Sequence, residues 1–356
     1  MNKNILYVGY VVEKIASGAD MVNQSNLSFL KEMFKNSLFV TNLGNPNIFE
    51  KLFFYTGGCT KRICDDILNI IEVKSISIVF LSSSLLGKLA KKIKKRYPSV
   101  LIISFCHNIE TDYAKEEIKV KGIKKIPSYF SMSYNESLTA KYSDKIIVLN
   151  QRDNELLKKY YKRDADLMCP IVCEDKYDEK SEMANSHDSQ FTTLFVGTSF
   201  FANVEGIQWY INNVKPFTND KLIIVGKGMD KFKNKWENSK VEVYGFVDDL
   251  SSYYYNADVV VLPIFHGGGM KTKTAEAFMY GKCVVGTNEA FQGYDNLNDK
   301  FAICCNDANS FISIISELQK NNGNGKFNKY SREYFLENNT FVSHYKRLSS
   351  LFNNII

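Results

Sequence analysis

Short runs of β-branched and aliphatic residues alternate along the chain with longer, lysine-rich segments whose apolar residues recur at three- and four-residue spacing. Residues 5–8, 76–81, 100–105 and 146–149 are almost wholly apolar, the pattern of strands covered on both faces. Between them, 26–34, 87–97 and 136–141 have helical periodicity. The alternation restarts with short strands at 194–197, 222–225, 241–244, 259–262 and 284–287, each followed by a helical segment. Repeated strand–helix units predict an α/β protein with doubly wound parallel sheets. The two series are separated by EDKYDEKSEMANSHDSQ, which is polar, charged and aperiodic. The expected organisation is a first Rossmann-like domain over 1–173, a linker over 174–190, a second Rossmann-like domain over 191–335 and a C-terminal helix over 336–356. Phe341, Tyr345, Leu348, Leu351 and Phe352 give that last helix one apolar stripe. Ligands of such sheets bind beyond the carboxyl ends of the strands, so a cleft between the two domains is the expected site.

A length of 356 residues suits two domains of roughly 150 residues each. With 45% hydrophobic and 24% charged residues, the composition excludes a disordered chain or a disulfide mini-scaffold. Charge is unevenly spread. Residues 1–173 hold 26 Lys/Arg against 17 Asp/Glu, a net +9, whereas 174–356 hold 19 against 22, a net −3. A basic first half points to an anionic partner such as a membrane surface, a phosphorylated substrate or nucleic acid. The eight cysteines form no CxxC pair, and Cys169 with Cys173 lacks a second pair that would complete a zinc site. Free thiols in a reducing cytosol are expected. The opening MNKNILYVGYVVEK has too short an apolar core for a signal peptide, and 76–86 stops well short of the roughly 20 residues that span a bilayer. A cytoplasmic protein is expected, with any membrane contact peripheral.

The segment richest in chemistry is VVVLPIFHGGGMKTKTAEAFMYGKCVVGT, residues 259–287. A strand ends at Pro263, Gly267, Gly268 and Gly269 form a loop, and a helix starts near Lys271 and Thr272. Glycines allow close backbone approach, a helix start offers unpaired N–H groups, and Lys271 and Lys273 add two full charges. Together these suit a diphosphate. Glu276 follows one turn later on a neighbouring part of the same face. A carboxylate there accepts hydrogen bonds from vicinal sugar hydroxyls, so the combination suggests a nucleotide. The plainer readings are a bare turn for the glycines, a solvated face for the lysines and dipole compensation for Glu276.

GGGMKTKTAEAFMYGKCVVGT resembles the donor-site motif of family 4 retaining glycosyltransferases, which have the GT-B fold of two Rossmann-like domains facing across a cleft. VEVYGFVDDLSSYYYNADVVVLP, LFVGTSFFANVEGIQWYINNV and KLIIVGKG are similar to that family's other nucleotide-domain segments. SFCHNIETDY and YNESLTAKYSDKIIVLNQRD resemble segments of its first domain, and SREYFLENNTFVSHYKRL its C-terminal helix pair, which returns to the first domain. The resemblance assigns Glu276 to the ribose hydroxyls and Lys273, with the Gly268 and Gly269 amides, to the diphosphate. It gives Phe246 and Val247 to the base through their backbone. It sets His107 against the reacting sugar, and Gly18 in the first-domain glycine loop. It implies a nucleoside-diphosphate-sugar donor, a saccharide or lipid-linked saccharide acceptor, surface-polysaccharide or capsule synthesis, and no metal or other cofactor.

Two positions depart from the family. Gly268 stands where a glutamate is common, and Gly197, after the first strand of the second domain, is followed by Thr198 rather than a basic residue. Lys271 is expected to supply the missing charge. An inverting transferase or a nucleotide-sugar epimerase on the same scaffold, with His107 and Asp112 as base, remains an alternative. So does a non-catalytic nucleotide-sugar-binding subunit. Glu110 and Asp112 are candidates to orient His107 or bind acceptor. Asp164-Ala-Asp166 follows a basic helix and is read as structural, and Asp248–Asp249 as a helix cap. The lysine clusters at 87–97 and at 115–125 are either solvated helix faces or contacts to anionic lipid; nothing resembles a nucleic-acid module.

Overall fold

A computed structural model of the chain describes residues 3–11, 18–184, 190–267, 269–321, 327–353 and 355. The chain divides into two compact units, Met1–Val172 with His344–Ile356, and Cys173–Ser343. The first unit holds β1 (Asn4–Gly9), β2 (Leu38–Asn42), β3 (Ile76–Leu81), β4 (Leu101–Phe105), β5 (Lys145–Val148) and β6 (Leu167–Met168). These form one parallel sheet in the order β2-β1-β3-β4-β5-β6. The second unit holds β7 (Thr192–Val196), β8 (Lys221–Val225), β9 (Val241–Tyr244), β10 (Val259–Leu262), β11 (Cys283–Gly286) and β12 (Ala302–Cys304). Its parallel sheet runs β12-β11-β10-β7-β8-β9. Both orders reverse once, at β1/β3 and at β7/β10, and such a switch point opens a crevice at the strand carboxyl ends.

The continuous apolar runs become central strands because helices cover both sheet faces. In the first unit Leu6, Val8, Val79 and Leu81 pack with Leu89, Ala90 and Ile93 of the helix Gly87–Arg96, all essentially excluded from solvent. Each fully buried aliphatic of this kind contributes about 1.5–3 kcal/mol. The C-terminal stripe folds as Phe341–Asn353, which from His344 onward belongs to the first unit. Phe352 stacks among Phe29, Phe34 and Phe80, and Tyr345 meets Phe29 edge-on at 5.2 Å.

Three edge strands lie outside the expected set. β2 is half exposed, β6 has two residues and β12 three, so none carries a long apolar run. The polar stretch 174–190 includes a short helix, Glu179–Ala184, with the Ser181 amide held by Asp178. The region 336–356 contains the end of one helix, Lys329–Asn338, and then Phe341–Asn353. Leu250, not Asp248 or Asp249, is the N-cap of the helix Ser251–Asn256, and Asp249 just before it accepts the Ser251 N–H at 2.9 Å.

Candidate functional site

In the second unit, Gly197 follows β7, and Gly269, Lys271, Lys273 and Glu276 follow β10, the two strands that flank its switch point. After β10 the chain turns through Gly267 and Gly269, whose φ of 153° and 65° are open to glycine and costly for other residues. Gly268 between them lies outside the described residues. The helix Thr272–Met279 follows, with Lys271 at its N-cap. Its first turn is locked from below. The Tyr294 hydroxyl donates to the Lys271 carbonyl at 2.7 Å and accepts the Ala275 N–H at 3.1 Å. Thr274 N–H is taken by the Lys271 carbonyl. The amides of Thr272 and Lys273 are the ones a helix start leaves for an incoming anion.

Lys273 is the cation at this point. Its ammonium donates to Asn203 Oδ1 and lies 5.3 Å above the Phe195 ring of β7. Burial and the neighbouring Lys271 push it down to about 8, with Glu276 pulling the other way. Asn203 also donates to the Thr198 carbonyl at 3.0 Å, so one amide ties the turn after β7 to the lysine. Its helix, Phe201–Asn213, approaches the end of β10 closely at Gly206, where an added Cβ would sit 1.9 Å from the Pro263 carbonyl oxygen. Gly197 ends β7 against Val225, its amide donating at 3.0 Å.

Glu276 is half-buried and accepts the Tyr254 hydroxyl at 3.3 Å. Burial raises its carboxyl above the ordinary range, opposed by Tyr254, Lys273 and Lys176. Lys271 is differently employed. Its ammonium donates to Glu289 at 2.7 Å and to the Gly269 carbonyl at 2.8 Å, which closes the glycine loop internally. The charge expected to replace a missing basic residue is thus engaged by a carboxylate. Phe246 and Val247 follow β9, the phenylalanine largely exposed and the valine half-buried.

In the first unit, His107 follows the end of β4, its Nε2 3.4 Å from Ser82 Oγ beyond β3 and its ring edge-on to Phe105. Burial depresses it to about 4, with Asp20 opposing, so the imidazole is neutral near pH 7. Ser82 also takes a hydrogen bond from Asn26 at 3.4 Å. Gly18 is the first residue of the helix Gly18–Phe34, and 12–17 before it lie outside the described residues. The loop after His107 is pinned by Glu136, which accepts the Glu110 and Thr111 amides at 2.8 and 3.0 Å and the Tyr161 hydroxyl at 2.9 Å. Burial pushes the Glu110 and Asp153 carboxyls up to about 7 and raises Glu136. Asp112 is engaged by Arg152 at 3.2 Å and Tyr160 at 2.8 Å.

Residues 190–321 match the family model described as glycosyl transferases group 1. Solved structures repeat the fold over the whole chain. Sucrose-phosphate synthase from Thermosynechococcus elongatus superposes with a TM-score of 0.73 at 13% identity, covering 99% of both chains. HepE from Anabaena in complex with UDP gives 0.71 at 11% identity, covering 99% of this chain and 100% of that one. The lipopolysaccharide outer core galactosyltransferase WaaB, apo form, gives 0.68 at 12% identity, with coverage of 99% and 100%. The chain is a glycosyltransferase of the GT-B fold. No curated protein matches it in sequence.

The glycosyltransferase domain brings Lys271, Lys273, Glu276, Gly197 and Gly269 to one crevice, while His107 and Gly18 stand at the strand carboxyl ends of the other unit. Asn203, Tyr254, Glu289 and Tyr294, which hold those residues in place, carry no motif of their own. The Asp164-Ala-Asp166 triplet is spent on ion pairs, Asp164 to Lys158 and Asp166 to Lys145 and Arg163. Among the described residues no group of three or more His, Cys, Asp or Glu is placed to hold a metal ion. All eight cysteines are free thiols, with Cys59 and Cys64 brought to 2.9 Å and Cys169 to 3.1 Å from His344 Nδ1. No helix among the described residues is long and apolar enough to cross a membrane. The 87–97 lysine cluster is largely engaged: Lys92 with Asp65, Lys94 with Asp144, Arg96 with Glu72 and Lys88 over Tyr55. In the 115–125 cluster Lys119 pairs with Glu116 and Lys125 with Glu117.

Proposed function

We propose that this glycosyltransferase is a retaining, metal-independent enzyme of family 4. It moves a hexose-type sugar from a nucleoside-diphosphate-sugar to a saccharide acceptor. The observation that carries the donor half is the first turn of Thr272–Met279. There a half-buried lysine held by a neutral amide oxygen lies in the first turn of a helix, whose leading amides have no intrahelical acceptor, with a carboxylate one turn on. An anion arriving there restores the charge that burial takes from Lys273. As the glycosidic bond breaks, negative charge builds on the leaving diphosphate, and fixed cations and amides stabilise it more than the ground state. The UDP and UDP-glucose held by Anabaena HepE structures favour a uridine donor. Retention rests on the family resemblance, in which the leaving phosphate helps deprotonate the acceptor hydroxyl on the same face. The neutral His107 then offers a hydrogen bond to the sugar instead of a charge. A lipid-linked acceptor, used at the cytoplasmic membrane face in surface-polysaccharide or capsule synthesis, fits the basic first half.

The test is incubation of the purified protein with UDP-, GDP-, ADP- and dTDP-sugars in EDTA, reading nucleotide binding and slow nucleoside-diphosphate release. Release from one donor, lost in Lys273→Ala, is the expected result. Absence of binding to every nucleotide sugar overturns the donor site. Release that vanishes with EDTA and returns with magnesium overturns metal independence, and an inverted product anomer by NMR overturns retention. Tight binding without turnover in the presence of acceptor mixtures leaves the non-catalytic subunit.

A further inference from the structure

The helix Ile126–Tyr142 turns an apolar stripe to water. Ile126, Phe130 and Tyr134 recur every four residues, which places them on one face, and they are 38%, 58% and 39% exposed. Ile123, just before the helix, is 78% exposed. At the other end, the Phe54 ring packs on Tyr134 at 5.3 Å and the Phe54 carbonyl accepts Asn135 Nδ2 at 2.8 Å. That contact joins the stripe to the short helix Ile48–Leu52, where Ile48, Phe49 and Leu52, with Phe53 after them, are each at least 70% exposed. Single exposed leucines are ordinary; a continuous set of large apolar side chains marks an interaction surface.

The short helix is fixed in its outward pose. Asn47 and Glu50 form a reciprocal capping box, Glu50 also accepts the Lys61 amide at 2.8 Å, and Lys88 donates to the Phe53 carbonyl. The rim of the patch is cationic. Lys51 and Lys124 are exposed at its two ends with no partner among the described residues, and Lys91 lies one turn from Lys88. The nearby acids are already committed, Glu50 to backbone amides and Glu117 to Lys125 at 3.5 Å.

We infer that this face of the first unit docks onto an anionic lipid bilayer, with the phenylalanines and aliphatic side chains entering the headgroup–acyl boundary and the rim lysines meeting lipid phosphates. An apolar centre with lysine at its edge suits that interface, because lysine keeps its ammonium in water while its stem lies on apolar surface. A second copy of the chain suits it less: a two-fold contact would set the same lysines against one another. The inference deepens the acceptor side of the proposed function, since a transferase held at the bilayer meets lipid-linked saccharides there. It also replaces the 87–97 lysine cluster, mostly paired within the fold, as the membrane-facing feature.

The test is flotation of the full chain with vesicles of phosphatidylcholine alone and of phosphatidylcholine mixed with phosphatidylglycerol. Binding to the mixed vesicles is expected, with at least about tenfold loss in the double variant Phe49→Ser/Phe53→Ser and in Phe130→Ser. The double variant Lys51→Glu/Lys124→Glu is expected to remove the preference for anionic lipid. Because these side chains are exposed, nucleotide-sugar binding persists in all of them, and Glu276→Gln keeps its vesicle binding. Failure of the donor site therefore reads differently from failure of the lipid surface. The inference is overturned if the wild-type chain stays off both vesicle types or the variants bind as it does. It is equally overturned if Phe49→Ser/Phe53→Ser converts a dimer to a monomer in sedimentation with vesicle binding unchanged.

Discussion

At the carboxyl end of β10 the chain gathers cations, and after β4 it gathers carboxyls. Burial acts on both sets in the same way. It pushes Lys273 down to about 8 and lifts Glu110 and Asp153 to about 7, drawing each group towards its neutral form. The two differ in how they are satisfied. Glu136, among these acids, is filled by two amides and a tyrosine hydroxyl from within its own unit, so its carboxylate holds the loop that follows His107. Lys273 has a neutral amide oxygen for a hydrogen-bond partner and sits in the first turn of its helix, where backbone amides lack intrahelical acceptors. One set of buried charges is held by hydrogen-bond donors of its own scaffold; in the other, Lys273 meets only a neutral acceptor, which is what the proposed anion site requires. Perturbed ionisation is therefore no guide to function until the partners on hand are named.

The largest expected effect is in Lys273→Ala, which removes the cation and lowers kcat by about 10²–10³-fold with the fold intact by circular dichroism. A change of less than about threefold would put Lys273 among the merely structural charges. Glu276→Gln keeps the shape and loses the charge, and is expected to weaken donor binding by about 10²-fold in calorimetry, in line with about 1.5–3 kcal/mol for a charged hydrogen bond. Smaller again is His107→Gln. As a neutral hydrogen-bonding group in the other unit, His107 is expected to contribute about tenfold to kcat and leave nucleotide affinity unchanged. A matching loss of nucleotide affinity would end the division of labour drawn above.

The mildest effect is a pH profile. Lys273 carries its charge below about 8 and loses it above, so diphosphate affinity falls as pH rises through that value, by less than tenfold per unit. Stability from the same group moves the opposite way. Its depressed pKa means the unfolded chain binds more protons between about 8 and 10.5, so the folded state gains as pH rises through that window. Lys273→Arg, which stays charged, is expected to flatten the affinity profile; an unchanged profile would assign the titration to another group.

The central strands, the glycine turn and the helix carrying Lys273 and Glu276 were all legible in the sequence, because each is written in a few contiguous residues. Covered strands need unbroken apolar runs, a tight turn needs glycine, and a helix start shows in the residues that follow it. β2, β6 and β12 escaped because short edge strands take their order from a neighbour's backbone and bury too little to impose a pattern. The partners escaped for a related reason. Asn203 lies 70 residues from Lys273, Tyr254 lies 22 from Glu276, and Glu289 lies 18 from Lys271. The exposed apolar face formed by Phe49, Phe53 and Phe130 was equally hidden, since apolar residues at helical spacing look the same whether they face a core or water. Sequence alone determined which charged and glycine residues cluster at the start of the helix after β10, because side-chain identity and local periodicity are properties of neighbours along the chain. Only the tertiary structure decided which of their charges are neutralised and which stand ready, because that depends on groups brought together from distant parts of the chain.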